Sequence, residues 1–188
     1  MIDIAWTSRE VTRDDETVAV VLRRDFGSPV DDVWDALTDP ERLKRWFLPV
    51  SGDLRAGGTF TTEGGAGGAI LACEKPFLQF TYGGETSVVT VRLSAREEST
   101  TLELTHTVPV AMAQSGAGAL WVGPGWDEAY LALELFLDGK EAQGQVTPEY
   151  GRATVAAWVA AVETSGTATA EEIETARQMA VQQYVAQE

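Results

Sequence analysis

The sequence predicts an α+β fold in which a curved antiparallel sheet wraps around one long helix and a helical extension follows. Three observations carry that prediction. Apolar residues alternate with period two over Thr17–Phe26 and again in the strands between Gly57 and Val108. The turns between successive strands are short and rich in glycine, which favours an antiparallel meander. One strongly amphipathic helix follows the last strand. At 188 residues the chain suits one domain with an appendage, and it is long enough to bury a core without staples. The expected division is a sheet-and-helix domain over residues 1–139 and a helical C-terminal extension packed on it over residues 140–188.

The elements follow in order. After a polar lead-in, Thr17 to Phe26 places Val18, Val20, Leu22 and Phe26 on one face, with Arg24 in register among them. Ser28-Pro29, with Asp31 three residues after the serine, has the form of a capped helix start. Val30, Val33, Trp34 and Leu37 give that helix its apolar stripe, and Trp34 reads as a wedge between helix and sheet. Asp39-Pro40-Glu41 repeats the device, and Leu43, Trp46 and Phe47 line a second short helix. From Gly57 to Val108 the chain reads as strands. Gly57-Gly58 opens one through Phe60, the glycines at 64–68 turn into Ala69–Glu74, and Lys75-Pro76 precedes Phe77–Tyr82. Gly83-Gly84 leads to Glu85–Ala95, and a charged turn leads to Thr100–Val108. Val89, Val91, Leu93 and Ala95 share a face, as do Leu102, Leu104, His106 and Val108.

Val110–Val122 is rich in small residues and is expected to be a mobile loop. Pro124–Asp138 reads as the best helix in the chain, ended by Gly139. Trp126, Ala129, Tyr130, Leu133, Phe136 and Leu137 gather on one side, and Asp127, Glu128, Glu134 and Asp138 on the other. Leu131 and Leu135 interrupt that polar side, where a solvated face would carry charge. The tail offers matching stripes: Val155, Trp158, Val159 and Val162, then Ile173, Ala176, Ala180, Val181 and Tyr184. Thr169 and Glu172 open the last helix as a capping box, and it is expected to run from about Glu171 to the chain end. Two apolar stripes need partners. Docking on the domain's outer surface in the same chain is the favoured outcome, and a homodimer through the same stripes is the alternative.

Charge and cysteine usage narrow the function classes. The formal net charge is −15, and no basic stripe exists to release counterions from nucleic acid. An acidic surface also repels an anionic membrane leaflet. Cys73 is the only cysteine, which rules out an internal disulfide and suits a reducing compartment. The first ten residues carry charges where a signal peptide needs an apolar run. The expectation is a soluble, cytoplasmic protein with neither nucleic acid nor membrane as a partner.

The stretch Phe26-Gly-Ser-Pro-Val-Asp-Asp-Val-Trp-Asp-Ala-Leu-Thr-Asp-Pro-Glu-Arg-Leu-Lys-Arg-Trp-Phe resembles the opening segment of the activator of heat-shock-protein-90 ATPase homologue-like family. That family lies within the SRPBCC (START-like, ligand-cavity) superfamily. Gly57-Gly58, the strand Phe77–Tyr82 after a proline, and Gly125-Trp126 opening the domain's last helix agree with it. The resemblance covers roughly residues 17–139 and implies a helix-grip fold with a cavity between sheet and helix. The small-residue segment before the long helix and everything after Gly139 depart from the family's pattern.

Few residues offer chemistry. The glycines at 64–68 lack the Lys-Ser/Thr of a phosphate-binding loop and lead into a strand. His106 is the only histidine, so any triad or zinc site would have to use it. Its inward position on the last strand favours a satisfied core or cavity-wall role. Arg24 faces inward and needs a carboxylate partner or a polar patch. No cofactor, metal or catalytic residue is assigned. The candidate ligand-binding set is Trp46, Phe47, Phe60, Phe80, Tyr82, Val91, Leu93, His106, Trp126, Tyr130 and Leu133. Its mouth is expected near Trp46–Phe47 and the segment Val110–Val122. Aromatic rings with polar tips suit an amphipathic guest. The function expected first is binding of a small hydrophobic or aromatic molecule without catalysis. A cyclase-, aromatase- or hydrolase-like enzyme in the same cavity and a co-chaperone-like interaction are the alternatives.

Overall fold

The computed structural model describes residues 4–185. Its strands are β1 (Ser8–Arg13), β2 (Thr17–Phe26), β3 (Val50–Gly52), β4 (Thr59–Thr62), β5 (Gly67–Glu74), β6 (Phe77–Thr81), β7 (Val88–Arg96) and β8 (Ser99–Pro109). They form one antiparallel sheet in the order β1-β2-β8-β7-β6-β5-β4-β3. The helices are α1 (Val30–Thr38), α2 (Pro40–Trp46), α3 (Val110–Ala113), α4 (Ala119–Leu137), α5 (Pro148–Ser165) and α6 (Ala170–Tyr184). This is the helix-grip arrangement of an α+β fold.

Register shows why the inward faces form one core. On β8, His106 stands opposite Val20 and Val89, while Leu104 stands opposite Leu22 and Val91. Leu78 of β6 continues the second row opposite Val91. Directly paired residues share a face, so these rows lie under α4, where Leu120, Leu131 and Leu133 are buried. Each such side chain contributes about 1.5–3 kcal/mol. A register shift between Ile70 and Ala72 on β5 bends the far end of the sheet around the helix.

Local chemistry sets the short helices. Asp39 caps α2, its carboxylate accepting from the Glu41 N–H at 2.8 Å, with Pro40 in the first turn. The indole N–H of Trp46 then donates to the Ala36 carbonyl at 3.0 Å and ties α2 to α1. Ser28 does not cap α1. The position before that helix is Pro29, without a side-chain cap, and Ser28 instead offers its carbonyl to the Thr100 hydroxyl. Asp31 and Asp32 still favour the helix start through the macrodipole. Val33 and Ala36 are the fully buried residues of α1, whereas Trp34 is half-buried.

Three further expectations need correction. The polar lead-in contains β1, whose Val11 is buried opposite Val20, and β3 precedes the first expected strand of the meander. The segment expected to be a mobile loop is ordered: α3, a 3-10 turn at Gly116–Gly118, and the first residues of α4. Pro124 sits inside α4 rather than at its start. The small residues are there for close approach. A Cβ at Gly116 would overlap Thr167, and one at Gly123 would overlap the Trp158 ring. Glycine at these places lets the tail pack against the helix.

That packing puts α5 beside α4 and over β1. The tail therefore packs within the same chain, against α4 and β1. Leu131 and Leu135 are buried, as are Val155, Trp158 and Val162 of α5 and Ile173, Ala176 and Ala180 of α6. Thr169 and Glu172 make the reciprocal capping box of α6. The chain end at residues 186–188, where that helix was expected to continue, lies outside the described residues. Asp127 belongs to the buried side: it is fully enclosed, accepting from Arg9 Nη2 at 2.6 Å and Nε at 2.9 Å and from Trp158 Nε1 at 2.7 Å.

Candidate ligand cavity

Between the sheet and α4 lies a cavity of about 140 Å³ with an almost wholly apolar wall. Leu37 of α1, Leu43 and Trp46 of α2, and Phe47 close one end. Phe60, Ile70, Leu78, Phe80 and Tyr82 supply the curled part of the sheet. Val91, Leu102 and Leu104 form the floor, and Trp126, Ala129, Tyr130 and Leu133 of α4 form the roof. The rings brace one another. Phe60 and Phe80 meet edge to face at 5.5 Å between centroids, Phe60 and Tyr82 lie parallel at 6.4 Å, and Tyr82 meets Trp126 at 6.1 Å. Such contacts hold ring positions that a simple apolar filling would leave loose.

Most of the sequence-derived set meets here: Trp46, Phe47, Phe60, Phe80, Tyr82, Val91, Trp126, Tyr130 and Leu133 all line the cavity. Leu93 does not. It is buried farther along β7, opposite Leu102, and lies outside the lining. His106 is also excluded from this wall, and so is the segment 110–122 expected at its mouth. Leu37, Leu43, Leu78, Cys73 and Ala129 are lining residues that pattern alone did not single out. Leu37, Leu43 and Ala129 carried apolar-stripe signals, while nothing local marked Cys73.

His106 lies past Trp126, in a second hollow of about 170 Å³ under α3 and the start of α4. The Trp126 indole can only donate, and it does so to His106 Nδ1 at 3.0 Å. Nδ1 is therefore the accepting nitrogen, and the proton of the neutral ring sits on Nε2. Nε2 is 2.8 Å from Ser87 Oγ and donates to it. Burial pushes the His106 pKa down to about 4, so the ring is neutral near pH 7. Both nitrogens are used in holding structure.

Tyr130, in the cavity wall, is occupied too. Tyr130 Oη donates toward the carbonyls of Leu22 and Leu102 at 3.3 and 3.4 Å, and burial raises its pKa well above the ordinary value. Burial also raises the Cys73 thiol and the Tyr82 hydroxyl. Arg24 pairs with Glu134 of α4 and lies 5.8 Å from the Phe26 ring and 6.0 Å from the Trp6 ring. Its role is to link β2 to the helix, and it is absent from the cavity wall. Among the described residues no group of three or more His, Cys, Asp or Glu side chains is placed to hold a metal ion. No helix there is long and apolar enough to cross a membrane.

A sheet gripping a helix around an apolar space defines a START-like helix-grip protein of the SRPBCC superfamily. More narrowly, the chain belongs to the Activator of Hsp90 ATPase homolog 1-like protein family, whose profile matches residues 28–138. Among solved structures it is similar to CalU16 from Micromonospora echinospora. The CalU16 crystal structure is 36% identical, covering 83% of this chain and 98% of that one, with a TM-score of 0.69. The solution structure of CalU16 gives 34%, 85%, 96% and 0.70 for the same quantities. DynU16, a protein of the dynemicin biosynthetic locus, shares the fold at 24% identity and TM-score 0.57, over 69% of this chain and 50% of its own. None of the curated proteins matches the chain.

Proposed function

We propose that this chain binds a small hydrophobic or aromatic molecule in the cavity between sheet and α4, and releases it unchanged. The observation that carries this reading is the lining itself. It is a braced set of rings and aliphatic side chains in which the groups able to titrate are Cys73, Tyr82 and Tyr130, all neutral near pH 7 and pushed further from ionising by burial. An acid–base reaction needs a group poised near the working pH within reach of the substrate, and this wall offers none. His106, the residue an enzymatic reading would use, has both nitrogens engaged. The likeness to DynU16 carries the fold alone, yet a biosynthetic locus is a setting in which a small-molecule binder has a use.

The same reading treats residues 1–139 as the binding domain and residues 140–188 as an extension that completes its helical layer. The apolar stripes of α5 and α6 are buried within one chain, which supports a monomer over a homodimer. The unpaired Cys73 suits a cytoplasmic setting. Native mass spectrometry of the protein purified from its own host provides the test. A bound passenger at one per chain, lost on denaturation and apolar by its chromatography, is the expected result. A passenger recovered in chemically altered form after incubation with the free compound would replace binding with catalysis.

A further inference from the structure

The second hollow differs from the first in its polar groups. Tyr82 lines both. On the far side stand Ser87 and His106, with Trp121 in the same wall. The hydrogen-bond directions there are fixed from one end. Trp126 donates to His106, and His106 Nε2 donates to Ser87 Oγ. Ser87 therefore spends an acceptor site on the histidine and keeps its own hydroxyl proton available. Tyr82, shared by both linings, carries a second neutral donor, its phenol, whose pKa burial raises. Trp121 contributes a buried indole N–H with no partner. Neither Lys, Arg, Asp nor Glu lines either space.

A pocket rich in neutral donors and free of charge recognises an uncharged acceptor. Building on the cavity-binding reading above, we propose that the ligand is a neutral aromatic ketone or quinone. Its ring system fills the first cavity, and a carbonyl oxygen reaches the second, where it accepts from the Ser87 and Tyr82 hydroxyls. An anion would meet no cation there, and an amine would meet donors where it needs acceptors. His106 acts as a positioning residue that aims the Ser87 hydroxyl.

The test compares 2-acetylnaphthalene with 2-isopropenylnaphthalene, which replaces C=O by C=CH₂ at nearly constant shape. Both are titrated calorimetrically into the native protein and into the Tyr82→Phe, Ser87→Ala double variant, with near-ultraviolet circular dichroism reporting the fold. The ketone-to-alkene affinity ratio is expected to fall about tenfold or more in the variant, the effect of losing one or two hydrogen bonds to a buried acceptor. The infrared carbonyl stretch of ¹³C-labelled ketone bound to native protein is expected at the frequency of a hydrogen-bonded carbonyl. Saturable binding of both probes with an unchanged ratio, or a stretch at its aprotic frequency, overturns the carbonyl subsite and leaves the apolar cavity reading standing. Saturable binding of neither probe overturns both.

Discussion

Replacing Asp127 by alanine removes the carboxylate partner of a largely buried guanidinium. The Arg9 side chain is 8% exposed and the carboxylate it meets is fully buried. Breaking a buried pair from one side costs about 3–5 kcal/mol, because a charge is left uncompensated. The variant also strips the Trp158 indole of its acceptor, and an orphaned buried donor costs about 1–3 kcal/mol. The two terms share a cluster and will not add fully, so we expect a loss of about 4–6 kcal/mol. That is a large part of the stability of an ordinary domain. Urea unfolding followed by circular dichroism measures it, with an unchanged m-value as the condition for reading the midpoint. The control is Arg9→Met with Asp127→Leu, which removes both charges and should recover most of the loss. A cost below about 1 kcal/mol for Asp127→Ala, or no recovery in the double variant, would refute the claim that this ion pair clamps β1, α4 and α5 together.

Three other outcomes are expected. Gly123→Ala places a methyl group into the Trp158 ring, so thermal unfolding should show a loss of about 1–3 kcal/mol from overpacking; an unchanged midpoint would mean that α5 is not seated as described. His106 has a folded-state pKa pushed from 6.5 down to about 4, so the unfolded chain binds the extra proton first as pH falls. Stability contributed by the neutral ring is whole above pH 6.5 and is lost progressively down to about pH 4, by roughly 3 kcal/mol in total. His106→Gln, which cannot take the proton, should remove that part of the acid loss, and an NMR titration placing the His106 pKa near 6.5 would contradict the burial argument. Cys73, half-buried in the cavity wall with its thiol pKa raised, should react slowly with Ellman's reagent and more slowly still when a guest is bound; a rate indifferent to a saturating guest would place the guest elsewhere.

The alternation of β7 and β8 was legible because each buries one face, and period two survives such burial intact, whereas on β2 Ala19 and Val21 are buried along with Val18, Val20 and Leu22. The cavity roof was legible for the same reason, since Trp126, Tyr130 and Leu133 recur at helical spacing. What pattern could not show was long-range pairing. Asp127 looked like a solvent-facing residue among Glu128 and Glu134, and only Arg9 and Trp158, 118 and 31 residues away, make it a buried one. The segment 110–122 was misread because small residues mark both loose loops and tight helix contacts. Gly116 and Gly123 belong to the second kind, and the deciding atoms sit in Thr167 and Trp158. Leu93 and His106 shared the inward face with true lining residues. Alternation gives the face but not the position along it, so it could not separate them from Val91 and Leu104.

The measurement that bears most directly on the central claim is a titration with N-phenyl-1-naphthylamine, a neutral apolar fluorophore dark in water. Native protein should bind it at one site with a saturable rise in emission and quenching of tryptophan fluorescence, as expected for a guest against Trp126. Ala129→Trp, which fills the cavity from the roof, should abolish that site while the far-ultraviolet spectrum is unchanged. Undiminished binding to a folded Ala129→Trp variant, or no saturable binding to the native chain, would contradict a ligand cavity between the sheet and α4.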